Sequence, residues 1–175
     1  GRSVLILERG VRNEKTVGVP FGPLLLDGYG LFCRSMENCY IARGITLGGS
    51  TLLYSGNAFN PPQFIYEKMG IDFSQEVGEL RKELPINVLP DRFFEKSASL
   101  FKMMDAATAR GYTVKPQDKY IDPDKCRVGC DTCMLGCKRG AKWTTREFVD
   151  QAVGYGADLM VGTRVRSIII EKGKS

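Results

Sequence analysis

GITLGGSTLLYSGNAFNPP, residues 44–62, is the stretch on which the reading of this chain turns. The adjacent glycines Gly48 and Gly49 reach dihedrals and close approaches that any Cβ would block. Backbone amides released from strand pairing in this way can face an anion or a flat ring. A bare Gly-Gly-Ser is otherwise an ordinary turn. What gives this one weight is its company: SVLILE at residues 3–8 and a second apolar strand near the C-terminus.

SVLILE is a short apolar block closed by an acid and then Arg9-Gly10, and it reads as a buried parallel strand. In a dinucleotide-binding βαβ unit the second strand ends in an acid that hydrogen-bonds a ribose hydroxyl, and Glu8 stands at that place. The Gly-x-Gly-x-x-Gly expected about 20 residues earlier is not in this chain. Residues 11–43 carry Gly18, Pro20, Gly22, Pro23, Gly28 and Gly30 and read as loops with short extended pieces such as PLLLDGYGLF. Cys33 and Cys39 there are expected to be buried free thiols.

After Pro61-Pro62, residues 63–70 read as a short helix. Residues 73–84 read as another, with Phe73, Val77, Leu80 and Leu84 on one face. Residues 91–110 read as a long helix capped by Asp91, ended by Gly111, and burying Phe93, Phe94, Leu100, Phe101, Met104 and Ala107. Residues 112–114 read as a strand. Thr144 or Thr145 caps a helix through about Val153. Residues 157–161 and 164–171 read as a closing pair of strands.

The 175 residues, 43% of them hydrophobic, are enough for the core of one ordinary domain. No apolar run approaches the ~20 residues of a membrane span. The net charge of +5 is scattered, which argues against nucleic acid as a partner. The chain has no histidine, opens on Gly1 directly before an apolar strand and stops in a turn-like Glu171-Lys172-Gly173 run. It reads as a piece of a larger protein.

CRVGCDTCMLGCKRGAKW, residues 126–143, brings Cys126, Cys130, Cys133 and Cys137 onto one short loop. Four thiolates so spaced can wrap one metal centre. The bacterial ferredoxin run has gaps of two, two and three residues; here the first gap is one longer and Lys138 replaces the proline. A [4Fe–4S] cluster is the leading reading, structural zinc the second, and metal-free thiols the third. Lys125, Arg127, Lys138, Arg139 and Lys142 flank the loop as possible counter-charges or as a solvated face.

Together these residues resemble the glucose–methanol–choline (GMC) oxidoreductases, in particular the long-chain alcohol oxidase-like branch with a Cys-rich insertion. VLILERG resembles the family's second Rossmann strand, LGGST its flavin motif, and GADLMVGTRVRSIIIEKG the strand whose backbone meets adenine. CxxCxxGC before GAKWT resembles the Cys-rich insertion. The resemblance implies an α/β fold: a fragment of a Rossmann-like FAD-binding domain, with a helical insertion at 62–125 and a Cys-rich loop at 126–142. It implies that Glu8, Gly48, Gly49, Ser50, Asn57, Arg164 and Val165 contact FAD. It also implies oxidation of an alcohol-type substrate with electrons passed to an acceptor protein or subunit rather than to oxygen. No catalytic acid or base is carried onto any residue here. The alternatives are an iron–sulfur electron-transfer subunit without flavin and a zinc-stapled binding module. Clustered thiols favour a cytoplasmic location.

Overall fold

The computed structural model describes residues 2–13, 17–18, 33–41 and 43–170. In chain order the elements are β1 (Leu5–Leu7), β2 (Cys33–Arg34), β3 (Tyr40–Ile41), α1 (Gln63–Met69), α2 (Ser74–Glu83), β4 (Asn87–Val88), α3 (Ala98–Thr108), β5 (Asp118–Lys119), α4 (Arg146–Gly154) and β6 (Asp158–Met160). Single 3₁₀ turns lie at Gly49–Leu52, Asp91–Phe93 and Cys133–Leu135. The chain divides into two compact units. Unit 1 comprises residues 1–54, 134–136 and 144–175, and unit 2 comprises 55–133 and 137–143.

In unit 1, β1 and β6 pair in parallel with Leu5 opposite Asp158 and Leu7 opposite Met160. The parallel pairing expected of SVLILE is there, but the burial is not: Leu5 and Leu7 are exposed. Among the described residues β1 has a strand neighbour on one side only, and its Leu5 and Leu7 side chains stand exposed on the sheet's face. The core of this unit is small and centres on Val17, Thr46, Leu47 and Leu52. β2 and β3 form an antiparallel hairpin, and Cys39 beside β3 is exposed rather than buried. The PLLLDGYGLF segment and the terminal residues 171–175 lie outside the described residues.

The expected final strand is not formed. Residues 164–170 are irregular, with Ile168, Ile169 and Ile170 each more than 80% exposed. A β-prone sequence needs a ladder partner to become a strand, and none of the described residues supplies one.

In unit 2, α1 ends at Gly70 in the left-handed conformation, and α2 starts where the Asp72 carboxylate accepts from the Ser74 amide at 2.9 Å. The long helix expected over 91–110 is divided. Asp91–Phe93 forms one 3₁₀ turn, and α3 begins only after Ser97. Ser97 stands at the helix start without a side-chain cap hydrogen bond. Gly111 ends the helix as expected, at φ +82°, with the Tyr112 amide reaching back to the Ala107 carbonyl at 3.1 Å. Residues 112–114 form no strand. The antiparallel partner of β4 is β5 instead. The stripe of Phe94, Leu100, Phe101 and Met104 lines an open cleft rather than a core. The core of unit 2 is Ala58, Ile121, Ala141 and Trp143, with Lys142 buried among them.

Candidate functional site

The Gly-Gly turn belongs to unit 1 and is fastened from both ends. Thr46 forms a parallel bridge with Val11, its hydroxyl donating to the Val11 carbonyl at 2.9 Å and the Leu47 amide doing the same at 3.2 Å. The Gly49 amide donates to the Thr46 carbonyl at 2.8 Å, so this amide closes the turn instead of being released for a ligand. Ser50 is also used locally, since its hydroxyl accepts from the Gly44 amide at 3.0 Å.

The two glycines differ in what surrounds them. A Cβ on Gly48, at φ +88°, would lie 2.7 Å from both Arg146 Cγ and Leu52 Cδ1. On Gly49, at φ +54°, it would project into open space, its nearest neighbour being the Gly44 carbonyl at 4.0 Å. A flat group laid against this side of the turn would therefore meet backbone with no side chain between.

The start of α4 braces the turn. Thr145 Oγ1 donates to the Gly48 carbonyl at 3.0 Å, and Arg146 Nε donates to the Leu47 carbonyl at 2.8 Å. Arg146 Nη2 also reaches the Asn13 carbonyl at 3.2 Å. Thr145 thus occupies the expected cap position, but its hydroxyl serves the glycine turn and makes no cap hydrogen bond. Sequence reading missed Arg146. The available signal was a cation in the first helical turn, where the helix dipole disfavours one, so its charge had to be used elsewhere.

Glu8 follows β1 directly. Its carboxylate accepts from the Gly10 amide, and its own carbonyl accepts from Thr163 at 2.8 Å. Gly10 packs so tightly that an added Cβ would sit 2.3 Å from the Thr46 nitrogen. Glu8, residues 44–52 and the chain leading to Arg164 are thereby joined in one unit. Arg164 and Val165 themselves are exposed and outside any strand. Asn57 belongs to unit 2, where its carboxamide oxygen accepts from Lys119 Nζ.

The four clustered cysteines all lie in unit 2 as free thiols and line one cavity of about 260 Å³, walled also by Leu89, Phe93, Ile121 and Lys119. Among the described residues no three Cys, Asp or Glu side chains converge closely enough to hold a metal ion as they stand. A single tetrahedral zinc at ~2.3 Å from each sulfur would need the sulfurs only about 3.8 Å apart.

Their surroundings differ. Burial pushes the Cys126 thiol up, and the thiols of Cys133, Cys137 and Cys130 push it further. Burial also raises Cys133, against the pull of Lys142 and Lys119. Cys130 is lowered, chiefly by the Thr132 hydroxyl at 3.0 Å. Lys142 is only 4% exposed and its Nζ donates to the Cys133 carbonyl at 2.7 Å. Burial brings the Lys142 ammonium down to about 8 while Cys133 and Cys137 act in the opposite direction.

No described helix is long and apolar enough to cross a membrane. A model described as GMC oxidoreductase matches residues 23–175. The cholesterol oxidase of Acinetobacter baumannii is 24% identical over 172 residues, a match covering 81% of this chain and 31% of that protein. The chain thus spans less than a third of the length of that curated relative. No solved structure matches. With the family match extending over most of its length, the chain belongs to the GMC oxidoreductase family.

Proposed function

We propose that this chain is part of an FAD-dependent oxidoreductase of the long-chain alcohol oxidase-like branch, oxidising the CH–OH group of an alcohol-type substrate. The observation that carries this reading is the junction, within unit 1, of the Glu8 end of β1 with the Gly48–Gly49 turn through Val11 and Thr46. FAD supplies a ring that accepts hydride as the alcohol becomes a carbonyl compound. The chain's own residues bind and orient. Glu8 has a second carboxylate oxygen for a ribose hydroxyl, and Gly48, Gly49 and Ser50 present backbone to the pyrophosphate and ring. Arg164 and Val165 offer main-chain groups to adenine. The fold is then a Rossmann-like FAD-binding domain carrying a helical and Cys-rich insertion.

In the same reading, Cys126, Cys130, Cys133 and Cys137 hold a [4Fe–4S] cluster, which supplies one-electron transfer to an acceptor protein or subunit other than oxygen. Such thiols persist in a reducing compartment, and we place the protein in the cytoplasm. The substrate class is tested by mixing the intact, anaerobic protein with aliphatic alcohols and with sterols, and following the oxidised-flavin absorption. Bleaching by one of them supports the reading. Bound flavin that no alcohol bleaches would contradict it.

A further inference from the structure

We propose that the open cleft of unit 2, between the 3₁₀ turn at Asp91–Phe93, α3 and residues 114–117, binds an uncharged amphiphile: an aliphatic chain carrying one hydrogen-bond-accepting head, as in a ketone or ester. The cleft encloses about 440 Å³, a volume typical of small-molecule sites, and lies wholly within unit 2. Phe94, Leu100, Phe101 and Met104, which helical spacing assigns to a core, line this open space together with Val114. Apolar walls of this kind gain when an aliphatic chain displaces water from them.

Gln117 selects the head group. Its side chain lines the cleft, and its Nε2 is buried with no hydrogen-bond partner among the described residues. A buried amide donor left unmatched is costly, and Nε2 can only donate, so the partner it lacks is an acceptor. The amide turns about a broad terminal torsion, which lets Nε2 swing toward an acceptor arriving in the cleft. The backbone beside it is held firmly. β5 starts at Asp118, whose carbonyl accepts from the Ala58 amide at 2.9 Å and whose carboxylate accepts from Arg81 Nη2 at 2.9 Å. Asp91 and Glu95 also line the cleft, as does Lys115, and all three are exposed. The two carboxylates disfavour an anionic head and the Lys115 ammonium disfavours a cationic one. An uncharged acceptor meets neither repulsion and loses little on leaving water.

The test uses the intact protein with methyl octyl ketone as the probe. This ketone has no CH–OH group to oxidise, so the cleft and the flavoenzyme reading fail separately. Hydrogen exchange at rising ketone concentration gives both the place and the affinity, and protection is expected in residues 91–117. Gln117→Leu should bind the ketone about 3- to 10-fold more weakly, the loss of one hydrogen bond. It should also unfold at higher urea than the wild type, because the orphaned donor is gone. Met104→Trp, which fills the cleft, should abolish the protection; if it fails to fold, Gln117→Leu decides. Decanoate and decylammonium should each bind more weakly than the ketone. No protection in residues 91–117, or protection unaltered in both variants, would overturn the site. A charged amphiphile that protects these residues as tightly as the ketone would overturn the head-group assignment.

Discussion

Replacing Gly48 and Gly49 by alanine, one at a time, separates a packing role from the proposed flavin contact. At Gly48 the added Cβ meets Leu52 Cδ1 and Arg146 Cγ at 2.7 Å, and the φ of +88° is left-handed. Leu52 is 2% exposed and has nowhere to move, and Arg146 can yield only by releasing the Leu47 carbonyl. The left-handed backbone costs an alanine about 1–2 kcal/mol. Overpacking adds about 1–3 kcal/mol. Gly48→Ala should therefore destabilise the flavin-free protein by about 2–5 kcal/mol. Gly49→Ala meets only the first term, partly offset by a stiffer unfolded chain, and should cost about 1 kcal/mol. Urea titration followed by circular dichroism gives the totals, and hydrogen exchange in residues 44–54 and 146–154 localises them. Flavin affinity should show the reverse ranking relative to stability: Gly49→Ala should lose at least 10-fold in FAD binding although it folds. A Gly48→Ala protein within 0.5 kcal/mol of wild type would refute the packing argument. A Gly49→Ala protein with unchanged FAD binding would remove Gly49 from the flavin path.

Arg146→Met should destabilise by about 1.5–3 kcal/mol through charged hydrogen bonds to buried carbonyls, measurable by the same urea titration. Cys133→Ser should slow electron delivery to an external acceptor while reduction of the flavin by substrate survives, as read by paired steady-state and single-turnover assays. Unchanged turnover would exclude the thiol centre from the electron path. Arg12 grips Asp150 with contacts of 2.8 and 3.0 Å and holds its carboxyl below the usual range. Asp150→Asn should cost less than about 1 kcal/mol at neutral pH because both groups are nearly half exposed. A depressed carboxyl stabilises above its unfolded pKa, so the wild-type advantage should disappear as pH falls below ~4. An advantage that grew in acid would refute the assignment.

The sequence carried unevenly distributed information about this molecule. Local chemistry was readable: Gly70 and Gly111 end helices because only glycine enters the left-handed region cheaply, and SVLILE pairs in parallel. Four cysteines within twelve residues are read as ligands of one metal centre; they line one cavity, but among the described residues no three side chains converge to hold a metal ion. What escaped depends on partners distant in sequence. Residues 168–170 have strand-forming side chains but no ladder neighbour among the described residues, and Leu5 and Leu7 form their strand but have no covering layer; the apolar pattern cannot say which neighbours are present. Apolar spacing likewise hid the restart of α3 at Ser97. Lys142 looked like one of several flanking charges. It is buried in a strip that pairs with Tyr120 and Asp122, its Nζ on the Cys133 carbonyl, and no periodicity encodes such distant partners.

The most direct test of the flavoenzyme assignment is the absorption spectrum of the intact protein purified without oxygen, with the released cofactor identified and iron and zinc assayed on the same sample. The account predicts resolved flavin bands from bound FAD, over a broad shoulder that scales with iron. Flavin without iron would leave the oxidoreductase and reduce the loop at 126–137 to a zinc or thiol staple. A protein that carries no flavin and takes none up would contradict the central claim.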